Sequence, residues 1–483
     1  MMLGSFDDVS ASDIDPIDYS LIEERLNESQ KLAVDSALTK KLTLVKGPPG
    51  SGKTTVIHEM ILQLIDKGNY PILVVATSNL AIDNVAEKLM NGRKRVDMVR
   101  VPATLKDYPE SHKLGPICLH NIVKKQLSIK DAELYERIIK EEFEELTPDE
   151  YTHLMSLSTS KGKAILGDAK VILSTVISAA SSLLKTVENF PVVIMDEANF
   201  CSEPHSLVPL SVPGVNKLVL VGDEKQLGMN TTVKSFGFSF FEKALKLLPE
   251  SKPIMLNVQY RMHPQISEFP RLRFYDDLLK DGVTRSDRHS KKIKYPVYFY
   301  DYGGKTAATE HKMKKKPKTK HHPMFRKKRK EGVEEEEEQE YSFVNYKEAA
   351  LVTKIVNKLI FDLRIPPDRI GVISSYSCQR DVIMSMINFT SRVEERRKVM
   401  VATIDAFQGR EKDIVVMSCV RSNPESRIGF MNNQRRMNVA LTRAKYCMVL
   451  VGNALCLENS SSVWKEYIEY LDDRCLVFKL GES

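Results

Sequence analysis

Leu42-Thr43-Leu44-Val45-Lys46-Gly47-Pro48-Pro49-Gly50-Ser51-Gly52-Lys53-Thr54-Thr55-Val56-Ile57 is the stretch on which the fold turns. It opens with an unbroken apolar run, which predicts a strand buried on both faces. After the glycines, Val56, Ile57, Met60, Ile61, Leu64 and Ile65 recur at helical spacing and stop at Gly68. A second apolar run, Ile72-Leu73-Val74-Val75, follows at once, so the unit is strand, helix, parallel strand.

The same rhythm continues along the sequence beyond this unit. Val171-Ile172-Leu173, Val192-Val193-Ile194-Met195 and Leu218-Val219-Leu220-Val221 continue a wound α/β sheet. It resumes at Val297-Tyr298-Phe299, Ile370-Gly371-Val372-Ile373, Val399-Met400-Val401, Ile414-Val415-Val416-Met417 and Met448-Val449-Leu450-Val451. Two α/β domains are therefore expected, over residues 1–250 and 251–483. Residues 103–165 carry apolar residues at three- and four-residue intervals among charges, as in Asp131 to Leu146, and predict a helical insertion in the first domain. Residues 305–340 run from Lys/Arg/His-rich to Glu-rich with little apolar content, and predict a mobile charged insertion in the second.

Composition excludes more than it identifies. In 483 residues, 42% are hydrophobic and 28% charged, which rules out a disordered or coiled-coil chain. The net charge of +7 says little about polyanions, because residues 311–340 alone hold 11 Lys/Arg against 7 Glu. The basic run Arg326-Lys327-Lys328-Arg329-Lys330 could be an import or RNA-contacting patch, or the basic half of a self-neutralising loop. Seven cysteines without a C-x-x-C pair write neither a disulfide framework nor a zinc module. The acidic start and the lack of about 18 uninterrupted apolar residues predict an intracellular, non-membrane protein, cytoplasmic before nuclear.

The chemistry begins at Gly47 to Thr55. Glycines between a strand and a helix let backbone N–H groups wrap phosphates, Lys53 can reach the β/γ oxygens, and the Thr54 hydroxyl can ligate Mg²⁺. ATP with Mg²⁺ is the expected cofactor. Asp196-Glu197 ends another buried run, where a parallel strand delivers carboxylates to the mouth of the sheet. Asp196 suits the metal, and Glu197 suits the positioning and deprotonation of an attacking water. Gln226, in Gly222-Asp223-Glu224-Lys225-Gln226-Leu227, is placed to sense the γ-phosphate. Arg261 and Arg443 of the second domain are candidates for stabilising the charge of the transition state. Asp405 to Glu411 follows a strand and is expected at the same strand end.

Taken in order, these segments resemble superfamily 1 helicases of the up-frameshift/senataxin-like branch, over nearly the whole chain outside the two insertions. Leu26-Asn27-Glu28-Ser29-Gln30 is similar to the adenine-reading Q motif, Gly47 to Thr54 to motif I, Thr77 to Asp83 to motif Ia and Ser174-Thr175 to motif Ic. Asp196-Glu197 is similar to motif II, Gly222 to Leu227 to motif III, Gln259-Tyr260-Arg261 to motif IV, Asp405 to Glu411 to motif V and Arg435 to Arg443 to motif VI.

The resemblance implies two RecA-like domains sandwiching Mg-ATP, with 5′ to 3′ movement on single-stranded RNA, and mRNA-decay or other ribonucleoprotein factors as partners. It implies that Gln30 pairs with adenine, Tyr260 stacks on the base, Arg261 and Arg443 meet the γ-phosphate, and Glu411 meets the sugar. Ser78, Asn79, Thr175, Asp405 and Gln408 are the implied single-strand contacts. Phe200 stands where the branch closes its D-E-A-x-Q pattern, which predicts an altered polar link between hydrolysis and motif III. With so short a stretch before Gln30, the zinc domain and stalk that precede this point in the up-frameshift protein, and regulation through them, are not expected. An ATP-gated RNA clamp and a DNA helicase are the other readings open at this level.

Overall fold

The computed structural model describes residues 21–22, 25–229, 231, 233, 237–248, 252–303, 310–314, 341–389 and 398–480. The basic run at 326–330 and most of the charged insertion fall outside them. The chain divides into two compact units, Met1–Tyr260 with Leu278–Gly282, and Arg261–Asp277 with Val283–Ser483.

In the first unit, α1 (Glu28–Thr39) leads into β1 (Leu42–Lys46), α2 (Lys53–Asp66), β2 (Ile72–Ala76), α3 (Asn79–Met90) and β3 (Met98–Val101). The helical insertion follows as α4 (Leu119–Lys125), α5 (Ile129–Lys140) and α6 (Pro148–Asp168). Then come β4 (Val171–Thr175), β5 (Val192–Asp196), α7 (Glu203–Leu210), β6 (Lys217–Gly222), α8 (Phe240–Leu247), β7 (Ile254–Met255) and β8 (Val258–Gln259). Seven parallel strands form one sheet in the order β3-β4-β2-β5-β6-β1-β7.

Alternation explains the unbroken apolar runs. Ile72, Val74, Val192 and Ile194 point to the layer shared with Val56, Ile57, Met60 and Ile82, while Leu73, Val75, Val193 and Met195 point to the opposite layer. The insertion fills that second layer with Leu119, Val123, Tyr135, Ile138, Leu154 and Leu166. Each such side chain contributes roughly 1.5–3 kcal/mol by leaving water. α6 is started by a capping box, in which the Thr147 side chain accepts from Glu150 N and the Glu150 carboxylate accepts from Thr147 N.

The first unit reaches as far as Tyr260 and also takes in β9 (Lys280–Asp281), which pairs parallel with β8. The Gln259 side chain donates to Asp281 Oδ1 at 2.7 Å, fixing that pairing.

The second unit comprises α9 (Pro264–Tyr275), β10 (Val297–Asp301), β11 (His311–Lys314), β12 (Tyr341–Val344), α10 (Tyr346–Phe361), β13 (Ile370–Ser374), α11 (Ser377–Phe389) and β14 (Met400–Thr403). It continues with α12 (Ile404–Phe407), β15 (Lys412–Ser418), α13 (Gln434–Leu441), β16 (Ala444–Gly452), α14 (Ala454–Ser460), α15 (Ser462–Asp472) and β17 (Val477–Lys479). Six strands form a parallel sheet in the order β14-β13-β15-β16-β10-β17.

The expectation of a loop from 305 needs one correction, because His311–Lys314 pairs antiparallel with Tyr341–Val344. Glu310 holds that hairpin down. Its carboxylate meets the Arg421 guanidinium at 2.7 Å, both groups nearly buried, and Arg421 lies 4.0 Å over the Phe343 ring. Among the described residues, no helix is long and apolar enough to cross a membrane, and all seven cysteines are free.

Candidate functional site

The carboxyl edge of the first sheet gathers most of the residues singled out in the sequence. Register sets Ala76 opposite both Thr175 and Asp196, and Lys46 opposite Gly222. The P-loop after β1, the acids after β5 and the Gln226 turn after β6 therefore share one edge with Ser78 after β2 and Thr175 ending β4.

The loop's own hydrogen bonds show what it can hold. Its carbonyls are occupied by protein donors: Gly47 O by Lys53 Nζ at 2.7 Å, Pro48 O by Ser51 Oγ at 2.8 Å, Gly50 O by Tyr260 N at 2.8 Å and Ser51 O by Gln30 Nε2 at 3.0 Å. With these oxygens turned into the protein, the loop presents its amide side, at the start of α2, as the side suited to an anion. Gly52 has φ +83°, and a Cβ there would lie 2.7 Å from Gln30 Nε2. Only glycine fits that turn.

Asp196 is buried, and burial pushes its carboxyl above the ordinary range. The Lys53 charge and the Glu197 N–H, which donates to Asp196 Oδ1 at 2.8 Å, oppose that rise. A buried carboxylate facing a lysine is a hard-oxygen group of the kind that a Mg²⁺ carried by a nucleotide takes from protein, and the Thr54 hydroxyl at the start of α2 is another. Glu197 follows in the left-handed region at φ +50°, a costly conformation for a residue with a side chain, and it turns the second carboxylate away from the line of the first.

Motif II and motif III are joined by a residue that the sequence reading passed over. Asn199 accepts from Asp223 N at 3.1 Å and donates from Nδ2 to Leu227 O at 2.8 Å. Within the motif III turn, Gln226 donates to Asp223 Oδ2 at 2.7 Å. Phe200, expected to alter this link, takes no part in these two bonds, which the amide one position earlier supplies.

Gln30 and Tyr260, the residues expected at the base, are also brought together within the first unit. Asn27 caps α1, its Nδ2 donates to the Tyr260 hydroxyl at 2.8 Å, and its own N–H donates to Gln30 Oε1 at 3.0 Å. Gln30 is thus a buried buttress of the loop, with one N–H and one lone pair remaining on its amide. Tyr260 is 39% exposed, its ring backed by Gly282, where a Cβ would meet the ring at 2.5 Å.

Of the residues expected to contact a single strand, Ser78 caps α3 by accepting from Ala81 N at 3.2 Å. Thr175 donates to Ser178 Oγ at 2.8 Å.

In the second unit, Arg261 donates to Glu411 at 2.5 Å and to Thr442 O at 3.0 Å, and Lys445 reaches the other Glu411 oxygen at 2.7 Å. Burial alone would raise the Glu411 carboxyl, but the charges of Arg261 and Lys445 outweigh it and hold the group at about 2. Glu411 here positions an arginine. Arg443 is buried and donates to Val439 O at 2.8 Å. Lys412 pairs with Ala444, so Glu411 and Arg443 stand side by side at the amino ends of β15 and β16. Asp405, in α12 directly after β14, keeps to the carboxyl end expected for its loop and receives Arg436 Nη2 at 3.0 Å. Gln408 Oε1 is buried with no hydrogen-bond partner among the described residues.

Comparison with known proteins places the chain in a family. The chain matches the AAA domain families over residues 25–150 and 140–235, and over 236–455. It is 36% identical over 94% of its length to the putative ATP-dependent RNA helicase ECM32 of Saccharomyces cerevisiae, covering 42% of that protein. It is 37% identical over 94% of its length to regulator of nonsense transcripts 1 of Caenorhabditis elegans, covering 40%. With the ATP-dependent helicase NAM7 of Saccharomyces cerevisiae it shares 34% identity over 94% of its length and 44% of that protein. The chain belongs to the up-frameshift-like branch of superfamily 1 helicases. It spans about two fifths of the length of the curated relatives it matches.

Proposed function

We propose that the chain hydrolyses ATP to move 5′ to 3′ along single-stranded RNA, separating strands as it goes. The observation that carries this reading is the shared edge of the first sheet, where Asp196 and Glu197 at the end of β5 stand one strand from Ser78 and two from Thr175, and the phosphate loop after β1 opens on the same edge two strands from those acids. A nucleotide-dependent change at Gln226 then has a short route through Asp223 and Asn199 to the acids.

In this reading Lys53 and the amides of Gly52 to Thr55 bind the phosphates. Thr54 and Asp196 would hold Mg²⁺, which when bound neutralises charge on the phosphate oxygens. Glu197 takes the proton of the attacking water, and Arg261 and Arg443 supply positive charge to the γ-phosphate. Tyr260 stacks on the base, while Glu411 keeps Arg261 extended through their ion pair. Ser78, Asn79, Thr175, Asp405 and Gln408 contact phosphate and sugar without reading sequence. The relatives named as RNA helicases or regulators of nonsense transcripts support an RNA substrate and a place among mRNA-decay factors.

The test is a fluorescent duplex assay with 5′ and 3′ single-stranded overhangs in RNA and in DNA at matched salt. ATP-dependent displacement from 5′-overhang RNA is expected. ATP consumption without displacement on any substrate would replace a motor with an ATP-gated clamp, and a preference for DNA would move the substrate assignment.

A further inference from the structure

Outside the residues assigned above, the first unit buries a full guanidinium beside the single-strand edge. Arg100, near the end of β3, is 0% exposed. It donates from Nη2 to Asn79 Oδ1 at 2.7 Å, from Nε to Asp83 Oδ1 at 3.2 Å and from Nη1 to Val101 O at 2.9 Å. Asn79 and Asp83 lie four residues apart on α3 and so share one face of that helix. The remaining Asp83 oxygen accepts from the Tyr108 hydroxyl at 2.8 Å. Tyr108 belongs to the helical insertion, and its carbonyl accepts from His120 Nε2 at 2.9 Å and Asn121 Nδ2 at 3.0 Å, both on α4.

The chemistry fixes which way Asn79 faces. Guanidinium groups only donate, so the amide must turn its oxygen toward Arg100 and its two N–H donors away from it. Those donors are what a phosphate oxygen requires, and a reversed amide would present an acceptor to an anion. We propose that Arg100 is the positioning residue for the single-strand contact at Asn79, and that the insertion, through Tyr108 and Asp83, holds Arg100 in place. The insertion thereby sets affinity for the phosphodiester backbone from behind the binding edge. This rests on the reading of Asn79 as a nucleic-acid contact.

A buried arginine that merely tied β3 to α3 would change stability without selective effect on the strand, and the test separates the two. RNA-stimulated ATPase is measured on the full chain with a single-stranded RNA oligonucleotide, for wild type, Arg100→Lys, Tyr108→Phe, Asn79→Ala and the double variants, with thermal unfolding alongside. Lysine keeps the charge but cannot serve three acceptors in a plane. Arg100→Lys is expected to raise the half-saturating RNA concentration about tenfold, with basal turnover and the KM for ATP within about twofold of wild type. Tyr108→Phe keeps the ring and loses only the hydroxyl, and is expected to raise it about threefold. Neither change should add to Asn79→Ala.

Full additivity with Asn79→Ala, or unchanged RNA dependence in folded Tyr108→Phe, overturns the proposal. Should Arg100→Lys fail to fold, Tyr108→Phe alone decides. A wild-type ATPase indifferent to RNA, with Asn79→Ala identical to it, instead overturns the nucleic-acid reading on which the proposal stands.

Discussion

Asn199→Ala is the sharpest perturbation of the link between hydrolysis and its sensor. Asn199 is 4% exposed, and its amide makes two bonds across 24 and 28 residues, to Asp223 N and Leu227 O. Alanine removes both and leaves a buried N–H and a buried C=O without partners. An unsatisfied buried group costs about 1–3 kcal/mol, so the pair should cost roughly 2–6 kcal/mol. For a unit of this size, about 2–4 °C per kcal/mol translates that into a fall of roughly 4–24 °C in Tm.

Activity should change in a specific way. Gln226 is anchored on Asp223, so a displaced motif III turn moves the amide that would face the γ-phosphate while leaving Lys53 and the loop amides untouched. The expected result is at least about a tenfold loss of kcat with KM for ATP little changed, equivalent to roughly 1.4 kcal/mol of transition-state stabilisation. Phe200→Gln, which restores the branch's pattern, should leave both parameters near wild type. The two variants are compared by steady-state ATPase and differential scanning calorimetry. An Asn199→Ala protein as stable and as fast as wild type would refute the reasoning, as would Phe200→Gln altering turnover to the same degree.

Lys53→Ala should weaken nucleotide binding measured by calorimetry, whereas Glu197→Gln should bind ATP normally and cease turnover; equal affinity losses would contradict that division of roles. Gly52→Ala forces a side chain into a left-handed turn and against Gln30, so it should lower ATP affinity about tenfold or more by fluorescence titration. Unchanged affinity would show that the loop does not need this turn. A pH effect is expected at Glu348 in the second unit, where burial pushes the carboxyl from 4.5 to about 7 although Ser418, Tyr302 and the Val420 N–H all donate to it. The folded state then holds a proton that the unfolded chain has lost, so stability is greatest below about pH 4.5 for this group and falls as pH rises through 7, by on the order of 3 kcal/mol. Urea midpoints at pH 5 and pH 8 should diverge in wild type and converge in Glu348→Gln; the same slope in both would remove Glu348 as the cause.

How much was legible in advance depended on range. The sheet was readable because strands covered on both faces must be apolar at every position, as Val192 to Met195 are, and the phosphate loop because its chemistry is local in sequence. Asn199, Arg100 and Tyr108 were not readable: an amide, a guanidinium and a phenol carry no periodicity, and their partners are fixed only when separate strands align. Gly282 gave a local signal, a glycine just beyond a short polar strand, but its use as the backing of Tyr260 is a matter of packing. Glu411 was placed on a sugar by resemblance, whereas β15 and β16 in register bring it to Arg261 and Lys445. The His311–Lys314 strand was hidden because its residues are polar and its stability comes from Glu310, Arg421 and Phe343 outside it.

Most direct of all is the rate of ATP hydrolysis by the whole chain as single-stranded RNA is titrated in, compared between wild type and a Ser78→Ala, Thr175→Ala double variant. Stimulation that saturates in wild type and requires much higher RNA in the variant, with equal basal rates, is the predicted result. Hydrolysis that ignores RNA in both proteins would contradict the claim that one sheet edge serves nucleotide and strand together.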